Sequence, residues 1–358
     1  MRQIKMKTKK RILPIVLLIA AAVIAAVLIC YGTLYFPRVP TMTSVKKITD
    51  LGQYNVYEMD YTADYKLDEV LAAGAGSTQE FTDLALKTLL PGIPVHMDTV
   101  EIACSVCFTR DSGGKYYMGR NFDLDDTSCM VIRTHPKNGY ASVGMANLSY
   151  LGIDEADTAV GRIASLLLPY TTMDGMNEKG FACSMLWLDD APTVQDTGKV
   201  PITTTVAQRL LLDRAANVDE AIGLLAAYDM RSVSGGDYHF YLTDAAGNSA
   251  IVEWPEPGDE MTVTRDVKIA TNFFVCDVAE GVNVGHGQER AEAMTAYLDG
   301  LGNVAGVPET FGALESAEQT VSTEVSGVTQ WSSVYDLTDR KVHLVFRRDW
   351  ENVLEFDF

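Results

Sequence analysis

The stretch that most constrains the fold runs from Val100 to Asp126, where two apolar, β-branched runs flank Asp111-Ser112-Gly113-Gly114. Glycine accepts the positive φ of a tight hairpin turn, so two adjacent antiparallel strands are predicted here. Cys104 stands on the first strand, and Arg120-Asn121-Phe122-Asp123 ends the second. The register is left open: a three-residue loop over 111–113 sets Cys104 opposite Arg120, and a two-residue Gly113-Gly114 turn sets it opposite Asp123. Directly opposed residues lie about 5 Å apart and diagonal ones about 7–8 Å, so both neighbour the thiol either way. A guanidinium at that range favours thiolate over thiol and would lower a free cysteine pKa of about 8.5. Asp123 can hold the guanidinium or accept a bond from the cysteine's own amine. Cys104 is therefore the candidate catalytic nucleophile.

Cys104 and Cys107 together also fit a redox or metal-binding CxxC. Residues three apart on a strand point to opposite faces, which argues against one shared metal or a local disulfide. No second CxxC or histidine pair completes a zinc site, and the reading calls for no metal and no cofactor. The six cysteines, Cys30, Cys104, Cys107, Cys129, Cys183 and Cys276, show no disulfide-framework spacing. They are read as reduced and buried, with one pair among Cys107, Cys129, Cys183 and Cys276 as the alternative.

The N-terminus is a separate unit. Arg2, Lys5, Lys7, Lys9, Lys10 and Arg11 precede an uncharged run from Ile12 to Phe36. At 25 residues that run exceeds the ~20 needed to cross a hydrocarbon layer. A cleaved signal peptide would carry an apolar region of only about 7–15 residues ending in a small-x-small site, so this run is too long, and Leu28-Ile29-Cys30 lacks the small residue before cysteine that a lipoprotein site would want. The basic excess before the span, against Arg38, Lys46 and Lys47 soon after it, places the N-terminus in the cytoplasm and the remainder outside. The chain thus divides into a basic tail over 1–11, a transmembrane anchor over 12–36, a linker and pro-segment over 37–103, and a catalytic domain over 104–358. Beyond Phe36 stand 23 basic and 48 acidic residues, a net charge of −25, which speaks against nucleic acid or anionic lipid as a partner.

Pro37 to Lys47 reads as a short polar linker. Val56 to Asp60 alternates like a strand, while Leu67–Ala73 and Phe81–Leu90 have helical spacing, the latter opened by Ser77-Thr78. Residues 41–103 are too few and too weakly apolar for a domain of their own and are expected to pack on the catalytic domain. Beyond Thr99 strand signals dominate, Val267 to Asn272 among them, and hairpins such as Tyr238 to Trp254, turning at 244–248, imply largely antiparallel sheets. Helical patterns at Thr158–Leu168, Thr203–Ala216, Val218–Tyr228, Gln288–Leu301 and Pro308–Ala317 come between them in blocks. The expectation is α+β, two sheets face to face with helices outside.

A cysteine followed at +16 by arginine and at +19 by aspartate, within Cys-Ser-Val and Gly-Arg-Asn-Phe-Asp, resembles the choloylglycine hydrolase family of N-terminal nucleophile amidases. The likeness keeps its order along the chain. Asp174-Gly175-Met176-Asn177-Glu178-Lys179-Gly180 looks like the family's Asn-Glu-Lys-Gly turn, and Thr243-Asp244 to Val252-Glu253 like its central hairpin. Thr271-Asn272 is similar to its oxyanion position, Arg290 in Gln288-Glu289-Arg290 to its second active-site arginine, and Thr329-Gln330-Trp331-Ser332-Ser333 to its C-terminal end. Residues 99–358 are covered. The resemblance implies a four-layer αββα sandwich, a cysteine nucleophile and cleavage of a linear amide. Two departures stand out: Trp187 occupies a position where relatives carry asparagine or tyrosine, and 103 residues precede the cysteine. The second is similar to the acid ceramidase type, whose precursor is cut just ahead of its cysteine.

Cutting between Ala103 and Cys104 would give Cys104 a free α-amine with a pKa of about 7.7–8.0, a general base suited to neutral pH. Catalysis then requires no histidine, and His96, His135, His239, His286 and His343 stand singly, without a matching acidic pattern. The expected reaction runs through an acyl-thioester on Cys104. The resemblance assigns Asn272 to the oxyanion, Arg120 to the thiolate, Asp123 to the new amine and Arg290 to electrostatic support. Asn177 is expected to shape its turn. An indole offers one N–H donor and no acceptor, so Trp187 leaves the second oxyanion contact open, with backbone as its substitute. Tyr150, Leu151, Tyr170 and Trp187 are candidate pocket residues for a small-molecule amide: a bile salt, an acylated β-lactam, an N-acyl amino acid or an N-acylethanolamine. Acyl transfer to an amine, and a non-catalytic binding protein on the same fold, are the alternatives.

Overall fold

The structure, a computed structural model, describes residues 2–49, 54–91, 103–233, 235–255, 260–278, 285–323 and 327–358, of which 2–15, 27, 28 and 30 are described as backbone only. A nine-stranded sheet runs, edge to edge, through Lys46–Thr49, Val56–Tyr61, Cys129–Thr134, Ser142–Asn147, Thr172–Asn177, Ala182–Leu188, Asp237–Thr243, Ser249–Glu253 and Thr262–Arg265. A six-stranded sheet runs through Ile269–Ala270, Ala103–Arg110, Tyr116–Leu124, Val328–Asp336, Lys341–Phe346 and Leu354–Phe356. The described pairings in both are antiparallel, except that Val56–Tyr61 lies parallel to Cys129–Thr134. Helices Thr204–Arg214 and Val218–Leu225 pack on the large sheet, and Gln288–Gly300 and Val307–Glu315 on the small one. The fold is α+β, with helix, sheet, sheet and helix as successive layers.

Two apolar clusters account for this order. One fills the space between the sheets and extends behind the large one, with Cys104, Val106, Phe122, Met185 and Trp331 among its members. The other lies between the small sheet and its helices, with Cys107, Tyr117, Met294, Phe311 and Leu314. Cys104 and Cys107 thus face different layers, as the two-residue side-chain period requires. Cys104, Cys107, Cys129, Cys183 and Cys276 are all free thiols, so the alternative disulfide does not form.

The nucleophile hairpin takes a third register. Asp111 N–H donates to Lys115 C=O, Gly114 N–H returns to Asp111 C=O at 3.1 Å, and Gly114 has φ +88°. The three-residue loop is therefore 112–114, closed by a glycine in the left-handed region. It sets Cys104 opposite Phe122, not opposite Arg120 or Asp123, and Asp123 opposite Ala103. Because the slip relative to the Arg120 register is two residues, Cys104 and Arg120 keep a common face, while Asp123 turns to the other.

Three other expectations are corrected. The polar linker at Pro37 to Lys47 is helical, through Phe36–Arg38 and Val39–Ser44, and is docked. Buried Arg38 donates to Leu89 C=O at 2.6 Å, satisfying a carbonyl at the end of helix Thr78–Leu89. The strand read as Val267 to Asn272 stops at Ala270, where the chain leaves the sheet edge. Around Asp174, where only a turn was read, a full strand precedes the turn. It has no β-branched run to announce it, and its glycine serves close approach instead: a Cβ on Gly175 would lie 2.9 Å from Val143 O, and one on the facing Gly144 2.7 Å from Asp174 O.

Among the described residues one helix, Arg2–Tyr35, is long and apolar enough to cross a membrane, with a mean hydropathy of 2.6 over its apolar stretch beyond Val16.

Candidate active site

Cys104 is fully buried between the sheets. Arg120 Nη2 donates to its Sγ at 2.9 Å and to Met185 C=O at 3.1 Å, while Arg120 Nη1 pairs with Asp174 Oδ1 at 2.7 Å. Asp174 also accepts from Trp331 Nε1, Ser333 Oγ and Tyr335 Oη, at 3.2, 2.7 and 2.8 Å. The guanidinium lies over the Phe122 ring at 4.8 Å, and Phe122 stacks on Trp331 at 3.9 Å. A planar, charged fork held by one carboxylate and two rings has little freedom to leave the sulfur.

The guanidinium lowers the thiol pKa but does not bring it below the ordinary cysteine value, contrary to what its proximity alone predicts. Burial pushes Cys104 up to about 11, and Arg120, next in effect, recovers only part of the shift. The sulfur is a thiol until a base takes its proton. Among the described residues no histidine is hydrogen-bonded to it.

A second group gathers around the Cys104 backbone. Where the edge strand ends at Ala270, opposite Val106, the Asn272 side chain replaces the missing ladder: its Oδ1 accepts the Cys104 N–H at 2.8 Å. Asn272 Nδ2 donates to Trp187 C=O at 2.6 Å, so in this conformation its donor is spent on a backbone carbonyl. Arg290, on helix Gln288–Gly300, donates through Nη2 to Asn272 Oδ1 at 2.7 Å and through Nη1 to Cys104 C=O at 2.7 Å and Ser105 Oγ at 2.9 Å. Its Nη1 is also 3.4 Å from Asp123 Oδ2. Gly287, with φ +91°, opens that helix, and a Cβ there would stand 2.3 Å from Arg290 Nη2. Only glycine lets the guanidinium pass.

Asp123 accepts from Thr329 Oγ1 at 2.6 Å. Burial pushes its carboxyl up to about 6, with Arg290 pulling it back. A bulge at Gln330 shifts the register between the Asp123–Thr329 and Phe122–Trp331 pairs, so that Thr329 reaches the aspartate on one face while Trp331 stacks beside Arg120 on the other.

Cys104, Arg120, Asp123, Asn272 and Arg290 therefore form one connected network. Trp187 joins it through its carbonyl; its indole N–H is buried without a partner, against Gly236, where a Cβ would lie 2.0 Å away. Tyr170 is not a pocket residue: it is fully buried behind the large sheet, bonded to Tyr65 C=O and edge-on to Phe81. Tyr150 and Leu151 are buried in the turn after Ser142–Asn147. Asn177 shapes its turn, accepting from Lys179 N–H and donating to Leu212 and Ala215 C=O. Asp174, Ser105, Thr329 and Trp331 were not read as site residues, although three lie within the family-like motifs and Ser105 adjoins the nucleophile. Lone polar residues in a strand give no signal of what they face.

The model of the acyl-coenzyme A:6-aminopenicillanic acid acyl-transferase family matches residues 109–350. The chain belongs to this family. Its motifs resemble those of the choloylglycine hydrolase group of N-terminal nucleophile hydrolases. A curated relative, penicillin V acylase of Pectobacterium atrosepticum, is 32% identical over 151 residues, 39% of this chain and 37% of the relative's length. The match thus spans well under half of that protein. Conjugated bile acid hydrolase from Clostridium perfringens shares the fold at a TM-score of 0.53 and 16% identity, over 71% of this chain and 92% of that one. Penicillin V acylase from Agrobacterium tumefaciens does so at 0.53 and 18%, over 71% and 86%.

Proposed function

We propose that the chain is a cysteine amidase of the N-terminal nucleophile type, anchored by its N-terminal helix with the catalytic domain outside the cell, and that it hydrolyses a linear amide through an acyl-thioester at Cys104. The observation that carries the reading is the placement of Arg120 Nη2 on Cys104 Sγ at 2.9 Å, with Asn272 and Arg290 holding the same residue's N–H and C=O.

In the processing step Cys104 Sγ attacks the Ala103 carbonyl carbon. The C–N bond breaks, the nitrogen keeps its electron pair and takes the thiol proton, and water hydrolyses the resulting thioester. Asp123, opposite Ala103, and Asn272 Oδ1 then orient the new amine. Because burial holds the thiol near 11, that amine is the base the sulfur requires. In turnover it takes the thiol proton, sulfur attacks the substrate carbonyl, and the protonated amine donates to the leaving nitrogen. Arg120 would stabilise charge on sulfur. Asn272 would stabilise the oxyanion on releasing the Trp187 carbonyl, a contribution worth about 3–4 kcal/mol for a single donor.

The reading is tested by intact mass and N-terminal sequencing for a fragment beginning at Cys104, and by hydrolysis of bile-salt, penicillin V and N-acyl conjugates with Cys104→Ser as blank. An uncut chain that turns over none of them sinks it. The family name favours a second reading, transfer of the same acyl group to an amine. Product analysis with added amines separates the two.

A further inference from the structure

Among the histidines read as solitary, His239 has a buried acidic partner. His239, on Asp237–Thr243, and Glu253, on Ser249–Glu253, lie opposite each other in one hairpin, next to the pair Phe240 and Val252. Both are fully buried. His239 Nδ1 is 2.9 Å from Glu253 Oε1, and His239 Nε2 is 2.9 Å from Thr271 C=O. Glu253 also accepts Val275 N–H on Oε1 at 2.8 Å and Cys276 N–H on Oε2 at 2.9 Å. The pair therefore fastens the main chain at Thr271 and at Val275–Cys276, the two ends of the short segment that carries Asn272. Thr271 Oγ1 ties the same segment to Gly287, the residue that opens the helix bearing Arg290.

We propose that His239 and Glu253 are positioning residues, an imidazolium and a carboxylate whose joint hold on residues 271–276 places the Asn272 amide at the nucleophile. The protonation state follows from the partners. A neutral imidazole has one donor, and here both ring nitrogens face acceptors, a carboxylate and a carbonyl. Glu253 receives donors on both oxygens; burial raises its pKa, but the His239 bond and charge and the two amides outweigh it and hold the carboxyl below its usual range. Cys276 and Asp277, on the clamped segment, are the other titratable groups on that side; burial and then Glu253 push the Cys276 thiol up to about 12. Neither His239 nor Glu253 touches Cys104; they act through Asn272, whose Oδ1 holds the nitrogen that would become the base.

The proposal rests on the amidase reading for its kinetic consequence but not for its spectroscopic one. In the full-length protein carrying ¹⁵N-histidine, His239 is expected to show protons on both ring nitrogens at neutral pH. A ring with one bare nitrogen overturns the ion pair, whether or not any amide is turned over. With the best amide among the bile-salt, penicillin V and N-acyl conjugates, His239→Gln and Glu253→Gln are expected to lower kcat about 10- to 100-fold, as displacement of a catalytic group does, with KM within about twofold. Combined with Asn272→Ala, either is expected to add almost nothing to the loss from Asn272→Ala alone. Independent, multiplying losses, or unchanged kcat in folded Glu253→Gln, overturn the positioning role. If His239→Gln fails to fold, Glu253→Gln and the histidine spectrum decide. Absence of any Cys104-dependent turnover in the wild-type chain would count against the amidase reading alone.

Discussion

Two buried arginines each pair with an aspartate that accepts from a tyrosine, and they differ in what their remaining donors reach. Arg120 pairs with Asp174, which accepts from Tyr335 Oη; Arg209 pairs with Asp213, which accepts from Tyr65 Oη at 2.6 Å. All four charged groups are buried. Arg209 spends Nε on the same carboxylate at 2.9 Å and Nη2 on Ser142 Oγ at 2.7 Å, so its donors close a loop within the packing of helix Thr204–Arg214 on the large sheet. Arg120 bonds its aspartate through one nitrogen and keeps another on Cys104 Sγ. On the proposed reading, a buried arginine joins a reaction when its anchor leaves one donor for a reactive atom.

Substitutions break or sharpen that contrast. The largest expected effect is at the sulfur: Cys104→Ala should abolish both chain cleavage and amide turnover, read by intact mass and product release, and residual turnover would remove the nucleophile assignment. Next, Arg120→Lys should lower kcat/KM on the order of 100-fold, because an ammonium cannot bridge Asp174 and the sulfur as a fork does. Arg209→Lys should leave the kinetics of the folded enzyme intact and lower Tm. A further step is Arg209→Met against Arg120→Met: each strands a buried aspartate and should cost about 3–5 kcal/mol in denaturant unfolding, and only the second should silence the enzyme.

Asp123 sharpens the comparison through pH. Its folded pKa of about 6 lies above the unfolded 3.8, so the folded state favours the protonated carboxyl. Its stabilising effect is present below the unfolded value and is lost as pH rises through about 6. Asp123→Asn should therefore gain Tm relative to wild type as pH rises from about 4 to about 6 and keep that gain at higher pH; a parallel pair of Tm–pH curves across that window would contradict it. The smallest effect is expected far from either arginine. Ser77 caps helix Thr78–Leu89 by accepting Glu80 N–H, and Ser77→Ala should cost about 1 kcal/mol with unchanged kcat.

The site was legible in proportion to how local its geometry is. The hairpin at Asp111 to Gly114 announced itself through its glycines, and the two-residue period then put Cys104 and Arg120 on a common face under the observed register. The helices at Leu67–Ala73 and Gln288–Gly300, the second read one residue further to Leu301, followed from spacing. Asp174 was passed over because a lone acid before Gly175-Met176 has no periodicity to mark it, and its four donors arrive from the small sheet. His239 and Glu253 looked unrelated because fourteen residues separate them; the turn at 244–248 makes them neighbours. Pro37 to Lys47 was read as linker from its polarity, whereas the burial of Arg38 and Thr41 depends on helix Thr78–Leu89 and on Thr62 and Ala63.

The sequence by itself determined that a cysteine, an arginine and an aspartate meet on one hairpin, that the fold is α+β and that one helix can cross a membrane, because turn chemistry, strand period and run length are properties of a few adjacent residues. The tertiary structure alone decided how that cysteine is charged. Closing a second sheet over Cys104 removes the water that would stabilise a thiolate, and that desolvation outweighs the guanidinium 2.9 Å away.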